Sequence, residues 1–191
     1  MNTPNRPALL PLAAEPFTVP TDRAMLPSER RAFVRTHRTC VFAYGRVHDG
    51  PAMSVVYYVP TEEDELLVST MAARGKALAV ARNPKVSLCV LDERFPFAYL
   101  QVYAEAVVDR DRDLAVDVLM AAAGRMSGEP LGEETRPFME AMAAEEDRVV
   151  LRCRPYETFA QPSRPQGDDG TGKGIRYTIS GTVPWDASDP S

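Results

Sequence analysis

The 191-residue chain holds one tryptophan, two histidines and three cysteines, and each scarcity removes a class of chemistry. His37, at a helix end, and His48, at a hairpin turn, both read as exposed, and with only these two among scattered carboxylates no metal-ligating constellation forms. No G-x-S-x-G elbow is present, so a Ser-His-Asp hydrolase has no motif to stand on. Cys40, Cys89 and Cys153 are odd in number, lack C-x-x-C spacing and sit in apolar runs, which predicts buried reduced thiols. Positive charge is not in excess: the formal charge is -5 and the isoelectric point about 5.2. Nucleic-acid surfaces need clustered Lys and Arg, so this class is excluded. No apolar run reaches the length of a membrane span, and residues 1–17 lack a secretory apolar core. The expectation is a cytoplasmic protein without membrane or nucleic-acid partners.

What is present is 45% apolar residues, enough to bury the core of one domain. Residues 1–26 carry five prolines and no periodicity, and read as an extended arm. Residues 160–191 are rich in Pro, Gly, Asp and Ser and read as a flexible tail, with Ile175–Ile179 the one stretch suited to strand pairing. The domain lies between, over 27–159. Pro27-Ser28 starts a helix through Arg35. Thr39–Val47 and Pro51–Val59 flank Asp49-Gly50, a tight-hairpin signal. Glu65–Thr70 is a third strand, Gly75–Arg82 a short helix stopped by Asn83-Pro84, and Lys85–Leu91 and Tyr99–Val108 are strands four and five. Leu114, Ala115, Val118, Leu119 and Ala122 keep helical spacing toward Gly124, a candidate C-cap. A further helix covers about 134–146, and Arg148–Arg154 is strand six. Strands joined mostly by hairpins, without regular β-α alternation, predict an α+β, mainly β fold: a six-stranded antiparallel barrel with peripheral helices.

The segment that carries chemistry is Ser69-Thr70-Met71-Ala72-Ala73-Arg74-Gly75-Lys76. A strand ends in two hydroxyls, a loop carries an Arg, and a helix begins beside a Lys. The first helical turn offers free N–H groups and a positive dipole end, so phosphate is the natural guest. Alone, the pattern describes a capped surface helix with solvated charges better than it describes a site. Residues 167–174, GDDGTGKG, nearly spell a phosphate loop, but Gly174 replaces the Ser or Thr and no strand precedes it. Met120, Met126, Met139 and Met142 read as helix packing; of Tyr57 and Tyr58, strand alternation sends only one inward.

The order of motifs adds a second argument. The Asp-Gly-Pro hairpin, S-T-x-x-x-R-x-K, N-P-x-V and then DERFPFAYLQVYAEA, with RVVLRCRP as a last strand, resembles the pyridoxamine-phosphate-oxidase-like split β-barrel family. The likeness spans about Phe33 to Phe159 and is nearer to the branch of reductases that use the deazaflavin coenzyme F420. The chain departs from the family pattern at Ala79, Ala98 and Phe159. The resemblance implies a homodimer with cofactor at its interface and a small-molecule substrate. It implies that Arg74 and Lys76 hold the cofactor phosphate, that Ser69 and Thr70 line the same pocket, and that Met53, Ser54 and Val55 lie beside the ring. Hydride chemistry belongs to the cofactor, so no catalytic side chain is expected. The alternatives are FMN in the same fold, as an oxidase or reductase, and a non-catalytic flavin- or haem-binding protein.

Overall fold

The computed structural model describes residues 6–15, 17–20, 23–94, 98–161 and 181–190. The first helix, α1 (Pro27–Thr36), starts where proline loses nothing by lacking an N–H, and Glu29 reaches back to accept the Leu26 N–H at 2.8 Å. Three strands follow: β1 (Thr39–Tyr44), β2 (Ala52–Tyr57) and β3 (Val59–Pro60). Asp49-Gly50 is not a two-residue hairpin: β1 ends at Tyr44, pairs there with Ala52, and residues 45–51 form the connection.

Next come β4 (Leu66–Met71), α2 (Gly75–Arg82), β5 (Lys85–Asp92) and β6 (Ala98–Asp109). The helix α3 (Arg112–Ser127) begins at Asp111, whose carboxylate accepts the Asp113 and Leu114 N–H groups at 2.9 and 3.0 Å. It runs past Gly124, the expected cap, to Gly128, which takes the left-handed conformation (φ +89°). Gly124 serves packing instead, since a Cβ there would lie 3.0 Å from the Glu129 carbonyl oxygen. A 3₁₀ turn (Glu133–Thr135) leads into α4 (Arg136–Glu145), and β7 (Arg148–Gln161) is twice the length of the strand expected from sequence.

The antiparallel order is β2-β1-β5-β6-β7-β4-β3. Its two ends, β2 and β3, are separated in the chain by Tyr58 alone. One bent strand therefore carries both edges of the sheet, and the sheet curls into a barrel. With β2 and β3 counted together, the barrel has the six strands anticipated. The β3–β4 ladder holds only Val59–Leu67 and Pro60–Leu66, so Val68–Met71 pair only with β7 and β2 only with β1. The wall is split there. In β7 the register shifts opposite Tyr103 and Ala104, leaving Tyr156 as the extra residue of a bulge beside Pro155, which has no N–H to donate.

Phe33, Phe42, Tyr58, Leu66, Leu88 and Leu100 fill the barrel. Two satellite clusters form where α3 covers Val59 and Leu67, and where α4 packs on α3 through Met139 and Ala143. Arg30 is buried and donates to the carbonyls of Met25 and Thr158, at 3.3 and 3.1 Å, tying α1 to β7. No helix among the described residues is long and apolar enough to cross a membrane.

The sequence reading places 160–191 in a flexible tail, yet residues 160–161 continue β7 and β8 (Thr182–Pro184) pairs with it. Residues beyond β8 are tied to the domain at particular points. Trp185 is buried, its backbone N–H bonds the Tyr156 carbonyl at 3.0 Å, Arg31 donates to the Trp185 carbonyl at 2.7 Å, and Asp189 accepts the Ser28 N–H at 2.9 Å. Ile175–Ile179 and the 167–174 stretch lie outside the described residues. Trp185→Ala should lower stability by about 3 kcal/mol, the usual scale for emptying a buried aromatic site. Urea unfolding followed by circular dichroism checks this, and an unchanged midpoint would mean that the docked segment does not stabilise the barrel.

Candidate cofactor site

The site grows from the end of β4. Met71 pairs with Arg148 at the start of β7, and the Ala72 N–H bonds the Asp147 carbonyl at 2.9 Å, so the chain turns where two strands still hold it. Arg74 is the N-cap of α2, and no side chain caps the first turn. Its amides and dipole therefore face outward unanswered. Gly75 lets Tyr44 approach closely: a Cβ would sit 2.9 Å from Tyr44 Oη at the end of β1 and displace that ring.

Three cations gather here. Arg74 is exposed, with Nε 3.5 Å from Met71 Sδ, and Lys76 is half-buried. Arg148 is bound to Glu146 at 2.5 Å. Burial lowers the pKa of Lys76 and the positive charge of Arg74 lowers it further; Cys40 acts the other way, and Arg148 adds a smaller lowering. Among the described residues neither Arg74 nor Lys76 pairs with a carboxylate, whereas Arg35, Arg94, Arg136 and Arg152 all do. An uncapped helix start with two unneutralised cations fits an anion with several oxygen acceptors, such as a phosphate.

The flanking strands bring the remaining expected residues. Thr70 is buried, opposite Val149. The hydroxyls of Ser69 and Ser54 are buried with no partner, an uncommon condition for a polar group. Met53 and Val55 stand 67% and 73% exposed, opposite Ala43 and Val41 on β1. Strand alternation turns Ser54 the other way, opposite buried Phe42. Ser69, Thr70, Arg74 and Lys76 lie on one β4–α2 segment, but strand alternation turns Ser69 toward the α3-covered face with Leu67 and Val150, and Thr70 toward the barrel interior with Val149. Met53, Ser54 and Val55 lie on the far side of the split and present two different faces.

Two contributors escaped the sequence reading. Arg148 arrives through the β4–β7 ladder, a long-range pairing with no local signal. Tyr44 abuts Gly75 and also lines a hollow of about 310 Å³ with Gly45, Pro51, Lys85, Tyr103 and Tyr156. There the Lys85 ammonium lies 4.4 Å from the Tyr156 ring centroid. Strand alternation foresaw the Tyr57/Tyr58 pair: Tyr58 is buried and Tyr57 half-buried.

Other candidates resolve differently. His37 is not the exposed residue expected: it stacks on Phe33 at 4.0 Å, and its Nδ1 lies 2.6 Å from the Phe33 carbonyl oxygen. Burial lowers its pKa. His48 lies exposed in the β1–β2 connection. Burial raises the thiol pKa values of Cys40, Cys89 and Cys153, and all three are free. Among the described residues no three His, Cys, Asp or Glu side chains gather as a metal site.

The family model described as pyridoxamine 5′-phosphate oxidase matches residues 26–161. The fold is similar to that of a conserved hypothetical protein of Mycobacterium tuberculosis, at 22% identity over 77% of this chain and 91% of that one, with TM-score 0.65. It is also similar to an F420 reductase (23% identity, 63% and 88% covered, TM-score 0.50) and to a heme binding protein of Mycobacterium smegmatis (14%, 85% and 59%, TM-score 0.53). No curated protein matches in sequence.

The cation cluster makes a titration testable. Because the folded state holds the Lys76 proton less tightly than the unfolded chain does, this lysine's unfavourable contribution fades as pH rises from its folded pKa toward the ordinary value. Arg74→Ala should raise the Lys76 pKa, read by NMR of ¹³C-labelled lysine. An unmoved pKa would show that the two charges do not share a field.

Proposed function

The chain belongs to the pyridoxamine 5′-phosphate oxidase family, and we propose that it is an F420-dependent oxidoreductase passing a hydride from the reduced deazaflavin to a small conjugated or aromatic substrate. The observation that carries the reading is the unneutralised pair Arg74 and Lys76 at the uncapped start of α2.

The cofactor supplies the hydride; the chain's residues bind, orient and keep water away. Arg74 and Lys76 hold the phosphate-bearing end with the first amides of α2. Ser69 and Thr70, at the end of β4, line that pocket. Met53, Ser54 and Val55 flank the ring from β2. The exposed Met53 and Val55 side chains are covered when a second protomer packs on the β1–β2 face, so the functional unit is a homodimer with cofactor at the interface. FMN also carries a phosphate, which the same cations fit, and it is the second reading.

The test is a titration of the purified chain with F420 and with FMN, each beside the Arg74→Ala/Lys76→Ala double variant. F420 is expected to bind more tightly, and the double variant to lose a few kcal/mol, since each charged contact contributes about 1.5–3 kcal/mol. Preference for FMN would keep the site and change the cofactor. An unchanged Kd in the double variant would overturn the site, and failure of both ligands would overturn the redox reading in favour of haem or another guest.

A further inference from the structure

The N-terminal arm is pinned to the barrel at Phe17 by two bonds from different elements. The Phe17 N–H donates to Thr36 Oγ1 at 3.2 Å, at the end of α1, and its carbonyl accepts Arg94 Nη2 at 3.3 Å, just past β5. Phe17 and Val19 are half-buried against the core of the barrel. Arg94 is aimed by Asp92, the last residue of β5. Asp92 Oδ1 accepts the Arg94 N–H at 3.0 Å and Nε at 2.8 Å, and Oδ2 accepts Nη2. The same Oδ2 is faced by His37 Nε2 at 3.5 Å. One carboxylate oxygen thus stands between a permanent cation and a titratable one.

His37 has an acceptor on each side. Its Nδ1 lies 2.6 Å from the Phe33 carbonyl oxygen, a distance that requires the proton on Nδ1. The neutral ring therefore turns the bare lone pair of Nε2 toward Asp92, and a second proton makes that nitrogen a donor aimed at Oδ2. Among the described residues the charged groups facing His37 are Asp92 and Arg94, and α1 ends on it with the partial negative charge of a helix C-terminus. Arg94 holds the Asp92 carboxyl below the usual carboxylate range, so it stays ionised. Burial is the largest influence on His37 and lowers its pKa. The Phe33 carbonyl and Asp92 raise it, Arg94 lowers it, and the balance lies below the ordinary histidine value.

We propose that His37, Asp92 and Arg94 form a proton-sensitive clasp, which holds the N-terminal arm at Phe17 while His37 is neutral and lets it go when the imidazole is charged. The His37 side chain is 11% exposed and anchored through Nδ1, whereas that of Arg94 is 54% exposed. The imidazolium therefore takes Oδ2, and the guanidinium turns to water, where losing an exposed pair costs little. Its bond to the Phe17 carbonyl goes with it. Because the open state holds the His37 proton more tightly than the closed one, closure is complete above the ordinary histidine value and is lost as pH falls below it. The clasp sits where β1 starts and β5 ends, while Tyr44, which abuts Gly75, lies at the other end of β1. Nothing in this inference depends on which cofactor the barrel holds.

The test is NMR of the full chain titrated from about pH 8 to about pH 5, the range in which histidines change charge. It reads the ¹³C shifts of both histidines, the Phe17 amide and the heteronuclear NOE of residues 17–19. His48, exposed in the β1–β2 connection, is the internal reference. The expected result is a His37 midpoint below that of His48, a Phe17 amide shift with the His37 midpoint, and loss of the NOE over 17–19 as His37 charges. Arg94→Gln should release the arm throughout the range. His37→Leu, which takes no proton, should keep it held at about pH 5. The unsubstituted chain carries the test even where a variant fails to fold. A Phe17 amide indifferent to the His37 titration, an arm that tightens in acid, or a His37 midpoint at or above that of His48 would each overturn the proposal. So would an arm still held in folded Arg94→Gln, or still released by acid in folded His37→Leu.

Discussion

Everything in this barrel depends on the bend at Tyr58. Because β2 and β3 form one strand broken at a single residue, the two edges of the sheet are fixed to each other covalently. The bend is held from inside. The Tyr58 ring is fully buried, its hydroxyl donates to the Val34 carbonyl at 2.6 Å, and its N–H bonds the Arg38 carbonyl at 3.2 Å. A buried phenol needs a partner, and α1 supplies it. The same ring therefore closes the barrel and docks the helix that Arg30 ties to β7.

The split is a consequence of that bend. A strand that turns away after Tyr57 cannot follow β4 to its end, so Val68–Met71 lose a neighbour on one side. At this point regular structure stops satisfying its own groups: a serine hydroxyl on each side of the split lacks a partner, and α2 begins without a side-chain cap. Two cations stand there without counter-charge, which costs stability in isolation and becomes useful when an anion arrives. Glu65 shows the opposite arrangement. Burial alone would raise the pKa of Glu65, but hydrogen bonds from Arg152 and Arg154 outweigh it and hold the carboxylate ionised.

Legibility in the sequence followed distance along the chain. The Ser69–Lys76 segment was readable because its chemistry is contiguous. The strands were readable because Cys40, Phe42, Leu88, Val90, Leu100 and Val102 fall at alternate positions. Gly124 read as a cap because glycine ends helices, but here it admits the Glu129 carbonyl, and the cap is Gly128. Asp49-Gly50 read as a hairpin by its dipeptide, yet the β1–β2 register closes at Tyr44 and Ala52. His37 looked exposed at a helix end because Asp92, whose carboxylate lies 3.5 Å from its Nε2, comes from a strand far along the chain.

The sequence by itself determined the element types, the antiparallel mainly-β class and the cationic β4–α2 segment, because these rest on local periodicity, turn chemistry and neighbouring charges. Only the tertiary structure decided which contacts complete them. Arg148 joins Arg74 and Lys76 through strand pairing, and Tyr44 presses on Gly75 from another strand. Trp185 returns from the far end of the chain to cover the barrel, and Arg125 meets the N-terminal arm with one nitrogen left unbonded. The physical reason is common to all four: burial and hydrogen-bond satisfaction are properties of residues distant in sequence, and no local pattern records who the partner is or whether one is missing.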